Sequence, residues 1–304
     1  MSNLIQFKRR NWIDRYIPAT NEPYYIMDTN DLRVGSGSNS SVSANRPITS
    51  TYTFYVSPSG SATASGLSPS NTTTILGAVS KARELNWSGV DKVNIQLSNG
   101  TYTVSQSIFW QDRKNGPLHI TGNPASPQSV IINSVHSQSY SGIFNAYYGG
   151  HLSLNGMSLQ TSYADSADNY QHGLVAVHRG VISCNNIRFG GTFNSHNVAS
   201  DCAQLAFGGT FNVYGKCRNS EFLAYQNAEI MIYNTTMSFS NNPSINIFCA
   251  AYDASCINNY NVTNFSGSNA TTYKCDAGHM ASISNYSQYP GTLVSTGSLF
   301  TGVY

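Results

Sequence analysis

Charged residues are scarce in this sequence: Asp, Glu, Lys and Arg make up 10% of its 304 residues, against about 25% in an average soluble domain. The formal net charge is +2, and no basic stripe runs along the chain, so nucleic acid is a poor candidate partner. Disorder is not expected either, because 40% of the chain is hydrophobic. Ser, Thr, Asn and Gly stand where charges would be, which predicts a polar but largely uncharged surface.

Long hydrophobic runs are absent as well. No window approaches the roughly 18 apolar residues typical of a membrane-spanning helix, so membrane insertion is not expected. The first residues read MSNLIQFKRRNW, without an apolar stretch followed by a small-residue cleavage site, so no secretory signal is indicated. Both features predict a protein that is made in the cytoplasm.

Cysteine is missing from the first 183 residues, and the six cysteines that follow are widely spaced. No Cys-x-x-Cys pair occurs among them, which argues against a zinc site; neither a metal nor a cofactor is predicted. Synthesis in the cytoplasm favours free thiols, and we expect most of them to fill inward positions as small apolar side chains. The six are Cys184, Cys202, Cys217, Cys249, Cys256 and Cys275.

Helical periodicity is confined to one short segment. After an alternating strand that begins near Thr51, apolar residues recur every three or four positions from Ile75 to Leu85. This spacing predicts one amphipathic helix, and the threonines at 72–74 are its candidate N-caps.

Short alternating strands follow this helix with almost no further helical signal. Several of them are followed by an Asn turn, and the intervals between Asn155, Asn185, Asn234, Asn258 and Asn285 predict irregular coils of 24–30 residues. A single helix ahead of such a run is the arrangement in which the helix covers the open apolar end of a parallel β-helix. The clearest predicted strands lie at 93–97, 130–132, 152–154, 175–177, 181–184, 211–213 and 230–232.

The segment from Thr51 to Val104 is similar to the opening of pectate-lyase-like right-handed β-helices. In that family, a strand, a helix and a second strand precede a turn often read as Pro-Pro-Gly-Thr-Tyr; here it reads Ser-Asn-Gly-Thr-Tyr at 98–102. The resemblance implies an all-β fold, a right-handed parallel β-helix with one N-terminal capping helix. Phage tailspikes and tail fibres share this opening with many polysaccharide-cleaving enzymes, so it bears on fold more than on function.

Residues 1–37 resemble the N-terminal module of phage tail-fibre and tropism-determinant proteins. The similarity lies in Ile-Gln-Phe-Lys-Arg at 5–9, in Asp-Thr at 28–29 and in Leu-Arg-Val-Gly at 32–35, while Ser36 departs from the family's usual Asp. The resemblance implies a small β module through which a homotrimer attaches to a phage baseplate or tail protein. Its residues with an implied attachment role are Phe7, Arg9, Tyr25, Asp28, Leu32, Arg33, Val34 and Gly35.

The same resemblance implies the organisation and location of the protein. Residues 38–50 are predicted to be a linker and residues 51–304 the β-helix, whose last segment, 265–304, suits either a terminal cap or a trimer tip. The protein is expected in the virion, at the tail or baseplate, after assembly in the host cytoplasm.

A phage tail fibre or tailspike of this kind is expected to bind a host cell-surface polysaccharide. Uncharged hydroxyl and amide groups match sugar hydroxyls, and tyrosine rings can pack on sugar faces. Two alternatives stay open: a polysaccharide depolymerase on the same β-helix, and a purely structural tail or baseplate component. The candidate glycan-binding residues are Tyr147, Tyr148, Tyr163, Tyr170, Tyr214 and Tyr225.

A depolymerase of the glycosidase type needs two carboxylates about 5–9.5 Å apart, and neighbouring coils stack about 4.8 Å apart. Carboxylates are few beyond residue 105, which favours binding over cleavage. A lyase would need a Lys or Arg base, such as Arg188, Lys216 or Arg218, and no Gly-x-Ser-x-Gly motif supports a serine esterase. The candidate catalytic residues are Asp165, Asp168, Asp201, Glu221 and Glu229.

Overall fold

The computed structural model describes residues 8–10, 23–26, 31–34, 51–85, 93–111, 116–136, 141–162, 171–260, 264–278, 280–285 and 289–291. The first three strands, β1 (Lys8–Arg10), β2 (Pro23–Ile26) and β3 (Asp31–Val34), form a sheet of their own. In it, β1 pairs with β2 in parallel and β2 pairs with β3 in antiparallel. Residues 1–37 thus contain a small β-sheet, and their role in attachment stays a prediction.

The other strands form a parallel β-solenoid together with one α-helix, α1 (Ile75–Glu84), and a 3₁₀ turn at Pro127–Ser129. The strands are β4 (Tyr52–Val56), β5 (Val93–Leu97), β6 (Gly100–Val104), β7 (Ile108–Trp110), β8 (Leu118–Thr121), β9 (Val130–Ser134), β10 (Gly142–Tyr147), β11 (His151–Thr161), β12 (His172–Val177), β13 (Val181–Gly190), β14 (Thr192–Phe193), β15 (Ser195–Ser200), β16 (Gln204–Val213), β17 (Lys216–Tyr225), β18 (Glu229–Phe239), β19 (Ser244–Ala251), β20 (Cys256–Tyr260), β21 (Asn264–Ser266), β22 (Ala270–Ala277) and β23 (Ser282–Ile283).

Two long parallel sheets run along the solenoid. The first sheet has the spatial order β4, β5, β8, β11, β13, β16, β18, β20, β23, and the second has the order β7, β10, β12, β15, β17, β19, β22. Neighbours in each order come from successive coils and pair in parallel, so the chain visits both sheets once per coil. This confirms the predicted fold class, because the described chain is nearly all β with a single α-helix, consistent with a right-handed parallel β-helix.

The helix begins where the sequence predicted it. Thr74 is the N-cap, and its side-chain oxygen accepts a hydrogen bond from the Gly77 N–H at 3.0 Å. The helix packs against β4, β5 and β7 and so covers the apolar end of the coils. Its buried residues are Ile75, Ala78, Val79 and Ala82. Within the part of the chain that is described, no helix has the length and apolar content needed to cross a membrane.

Strand alternation builds the core. In β5, Val93, Ile95 and Leu97 are buried while the two residues between them are partly exposed, because successive side chains of a strand point to opposite faces. Buried apolar residues form one continuous cluster from Phe54 to Tyr289. The second sheet contributes a column of buried alanines, in register from coil to coil: Ala146, Ala176, Ala199, Ala224, Ala251 and Ala277.

Coil length follows the predicted range closely in the C-terminal half. Val181 lies beside Gln204, Gln204 beside Glu229, and Glu229 beside Cys256, so these coils advance by 23, 25 and 27 residues. Strands β22 and β23 continue the two sheets. The described part of the 265–304 segment therefore still belongs to the coils.

The asparagines used to predict the repeat occupy equivalent positions in only some of the coils. Asn155 and Asn185 are register partners, as expected. Asn258 is not equivalent to Asn234: it pairs with Met231 inside the strand, whereas Asn234 lies at a bulge between paired residues.

Candidate functional site

A column of turns lies along one edge of the solenoid, where each strand of the second sheet leads into the next strand of the first. In the turns that follow β10, β12, β15, β17 and β19, one residue has a positive φ at the same place of the coil: 52° at Tyr148, 51° at His178, 54° at Asp201, 57° at Gln226 and 54° at Asp253. We call these five residues the turn ridge. A left-handed backbone is uncommon for residues other than glycine, so its recurrence shows that the fold imposes this conformation.

Main-chain hydrogen bonds connect the turns of the ridge from His178 to Asp253. The Arg179 N–H donates to the Asp201 carbonyl at 3.0 Å, the Cys202 N–H donates to the Gln226 carbonyl at 3.0 Å, and the same bond recurs one coil later at 2.9 Å. Because donors and acceptors are all backbone groups, the geometry of the ridge does not depend on which side chains stand on it. The expected spacing between ridge residues is that of stacked strands, about 4.8 Å.

The N-terminal end of the ridge is aromatic and titratable. The Tyr148 ring stacks on His178, with centroids 5.0 Å apart and an interplanar angle of 14°. His178 Nδ1 lies 3.2 Å from Asp201 Oδ2. Tyr148 is 56% exposed, and the His178 and Asp201 side chains are 47% and 33% exposed. This end therefore presents a ring face, an imidazole and a carboxylate to solvent.

One position before the ridge, two half-buried tyrosines flank two short residues. Tyr147, Val177, Ser200 and Tyr225 follow one another on successive coils. Ser200 is only 2% exposed, so the two tyrosines supply most of the accessible surface of this column. Burial raises the pKa of Tyr147, and the nearby Tyr225 and Tyr148 add to this rise. The Tyr147 hydroxyl is therefore a neutral donor at physiological pH.

Polar groups extend this surface beyond Tyr225. The Tyr252 hydroxyl donates to Asp276 Oδ2 at 2.5 Å. Burial raises the pKa of Tyr252, and the hydrogen bond and charge of Asp276 raise it further. Ring faces beside hydrogen-bonding groups are the features of a surface that binds neutral polar ligands.

Tyr214, a predicted glycan contact, is packed instead. Its ring lies against the backbone of Gly190, and the Arg188 guanidinium covers it at 4.7 Å from the centroid. A second exposed pair is Tyr233 and Tyr260, whose rings stack at 4.9 Å and 9° on the first sheet. Their shared signal is a tyrosine at equivalent positions of two coils.

The described catalytic candidates have separate surroundings. Asp201 lies on the turn ridge. Glu229 accepts hydrogen bonds from amide side chains of the two neighbouring coils, at 3.2 and 3.1 Å. Glu221 is fully buried, where a polysaccharide has no access to it. The predicted residues Asp165, Asp168, Tyr163 and Tyr170 lie outside the described part of the chain.

Five of the eight predicted attachment residues fall on the N-terminal sheet. Those that lie on β1, β2 or β3 are Arg9, Tyr25, Leu32, Arg33 and Val34. Those outside the described residues are Phe7, Asp28 and Gly35.

All six cysteines are free. Four are buried, as predicted for most of them: Cys184, Cys217, Cys249 and Cys275. Cys256 is half-buried, and Cys202 is exposed because it occupies the second position of a ridge turn.

A buried cluster surrounds Glu221, and sequence spacing gave no indication of it. His196 on β15 and Cys217 and Glu221 on β17 bring an imidazole nitrogen, a thiol and a carboxylate oxygen to within 4.8 Å of one another. These strands are neighbours in the second sheet. The cluster therefore forms between coils, which a search for closely spaced ligand motifs does not detect.

Comparison with known proteins adds little to this description. No protein-family model matches the chain, and no curated protein matches it. The crystal structure of Escherichia coli YbhC matches with 14% identity and a TM-score of 0.44, over 76% of this chain and 72% of that chain. Similarity this low carries no argument, so the fold assignment rests on strand pairing.

Proposed function

We propose that this chain is the receptor-binding β-helix of a phage tail fibre or tailspike, and that its turn ridge binds a host cell-surface polysaccharide. The observation that carries the proposal is the exposed run from the stacked Tyr148 and His178 rings to Asp201. A linear polysaccharide repeats along its own axis, so a surface that repeats along the solenoid offers it successive contacts.

Two half-buried tyrosines beside the ridge support this role. Tyr147 and Tyr225 lie one position before it, on either side of Val177 and Ser200, and offer ring surface and hydroxyl groups to a sugar. Attachment through residues 1–37 and assembly as a homotrimer belong to the same proposal and rest on the N-terminal resemblance. Three copies on one virion would convert weak sugar contacts into firm adsorption.

Binding is favoured over cleavage by the surroundings of the carboxylates. Glycoside hydrolysis needs two carboxyl groups facing one bond, whereas Glu221 is fully buried and Glu229 is engaged by amide side chains of both neighbouring coils. The specific observation that favours a depolymerase is the Asp201–His178 contact at 3.2 Å beside an exposed ring. Cleavage is therefore the second candidate function, with Asp201 as its test residue.

The proposal is tested by incubating the full-length protein with capsular polysaccharide and lipopolysaccharide of candidate hosts and following polymer size by gel filtration. We expect intact polymer to elute with the protein. Tyr148→Asn and His178→Asn each remove a ring while keeping a residue that tolerates a positive φ. Each should weaken binding about tenfold, equivalent to about 1.4 kcal/mol.

Tyr273→Asn is the matched control, because Tyr273 is also an exposed tyrosine, 46% accessible, but lies on β22 away from the ridge. Equal affinity of all three variants and the parent would remove the ridge from the proposal. Polymer fragments that appear over time, and that disappear in Asp201→Asn, would make the protein a depolymerase. Free elution of every polymer would favour a structural tail component.

A further inference from the structure

The buried cluster of His196, Cys217 and Glu221 lies inside the solenoid, away from the turn ridge. All three residues are 0–1% exposed. The His196 ring stacks on Phe189 and meets Phe193 edge-on, each with centroids 5.1 Å away. Aromatic core residues therefore enclose two ionisable groups and a thiol.

Hydrogen bonds account for only part of this polar group. His196 Nδ1 lies 2.5 Å from Glu221 Oε2. The Asn197 side-chain amide donates to Glu221 Oε1 at 3.3 Å and to the Glu221 carbonyl at 3.1 Å. The Cys217 thiol reaches the Asn194 carbonyl at 3.6 Å. Each of these polar contacts joins β15, or Asn194 just before it, to β17.

Two atoms of the cluster lack partners. Neither His196 Nε2 nor Asn197 Oδ1 has a hydrogen bond to any residue that the structure describes. Leaving a buried polar group unpaired costs free energy, and such a group in a native protein calls for an explanation, of which a bound ion beside the Asn197 oxygen is one. His196 Nε2 points away from the Glu221 contact, so an ion bound through Nδ1 leaves Nε2 unpaired.

We propose that His196, Cys217 and Glu221 together bind one divalent cation of the zinc type inside the solenoid. A thiolate, an imidazole and a carboxylate are the three ligand types that zinc takes in proteins, whereas calcium and magnesium prefer oxygen alone. A thiolate and a carboxylate also balance the charge of a divalent cation, so the occupied site is neutral overall. Asn197 Oδ1 offers a further oxygen ligand.

Binding has a cost at two places. The direct contact between His196 Nδ1 and Glu221 must widen, because two ligands about 2.1 Å from one zinc ion lie about 3.4 Å apart in a tetrahedral site. Cys217 must also lose its proton, although burial, followed by the charge of Glu221, raises its thiol pKa. Since the site is enclosed, the ion has to enter as the coils form and should leave only when they open.

The full-length protein, purified without added chelator, is expected to contain about one equivalent of zinc. Incubation of the folded protein with EDTA should leave that zinc in place, and unfolding in guanidinium should release it to a colorimetric chelator. Refolding with cobalt should give a near-ultraviolet thiolate-to-cobalt band and visible bands of a tetrahedral site. Folded protein that holds no metal in either preparation would overturn the proposal.

Variants separate a metal site from a merely buried hydrogen-bonded cluster. Cys217→Ser should remove the thiolate band and lower the zinc content at least tenfold, while Cys184→Ser, at a buried thiol outside the cluster, should change neither. If Cys217→Ser does not fold, the cobalt spectrum of the parent protein still decides. A folded parent whose cobalt lacks the thiolate band would overturn the assignment of Cys217.

Discussion

Burial of a single imidazole at His172 couples the stability of one coil to pH. This residue begins β12 and is 5% exposed, and its Nδ1 accepts a hydrogen bond from the Ser195 N–H at 3.2 Å. Burial lowers its pKa from 6.5 to about 4, because the charged imidazolium would lose its hydration in the core. The folded protein therefore holds this ring neutral at pH values where the unfolded chain protonates it.

The expected consequence is a loss of stability on acidification. Between pH 6.5 and 4 the unfolded state binds more protons, so the free energy of unfolding falls as the pH is lowered through this window. A shift of this size corresponds to about 3 kcal/mol. Urea denaturation at pH 7 and pH 4.5 should show that His172→Asn loses clearly less stability than the parent.

Val175→Ala, at a buried and non-ionisable position of the same strand, is the control for this measurement, because the stability it loses should be the same at pH 7 and pH 4.5. Burial also lowers the pKa of His136 and His151, so the parent itself loses stability at low pH through these residues. The contribution of His172 is therefore the difference between variant and parent in the free energy of unfolding lost from pH 7 to pH 4.5. Identical pH dependence in His172→Asn and the parent would show that His172 carries none of it.

At the scale of elements, hydrophobic period alone was sufficient to predict the helix and many of the strands. The three- and four-residue spacing from Ile75 gave α1, and alternation gave segments such as β5 and β13. These features were predictable because each depends on which side of one local segment is apolar. The fold class followed from their order along the chain.

The candidate site was only partly predictable. Tyr147, Tyr148, Tyr225 and Asp201 were singled out by residue type, but nothing local placed Tyr148 and His178 in left-handed turns, where Gly or Asn is the usual signal. Backbone bonds between coils link the turns from His178 onward, and such bonds exist only once the coils stack. The buried cluster was missed for the same reason, because its groups meet only after distant coils stack.

The cap of α1 carries a prediction of its own. Thr74→Ala removes the acceptor of the Gly77 N–H and should lower the free energy of unfolding by about 1 kcal/mol, seen as a lower urea midpoint with an unchanged slope. Thr74→Ser keeps the hydroxyl and should stay close to the parent. If serine and alanine prove equally destabilising, the cap hydroxyl contributes nothing and packing of the threonine methyl is the cause.

The whole molecule is a stack in which a coil is supported by its neighbours. Strand β16 pairs along its length with both β13 and β18, whereas β23 pairs with β20 through two residues. Helix α1 covers the opposite end. Stability in such a stack depends on contacts between neighbouring coils, so it should decrease toward the C-terminal coils.

Amide hydrogen exchange followed by mass spectrometry measures this gradient. Peptides from β13, β16 and β18 should exchange most slowly, and peptides from β22 and β23 should exchange sooner. Equal protection at both places would mean that another surface covers the C-terminal coils, as a trimer tip formed by the 265–304 segment would.

The turn ridge also bears on how this protein can change. Its conformation is held by main-chain bonds, so one ridge side chain can be exchanged for another that tolerates a positive φ, such as Asn or Asp, without disturbing the coils below. The backbone of the ridge thus stays the same while its side chains vary. In a receptor-binding role, substitutions at single ridge residues could adapt the protein to a host that alters its surface sugars. Each intermediate variant would still fold.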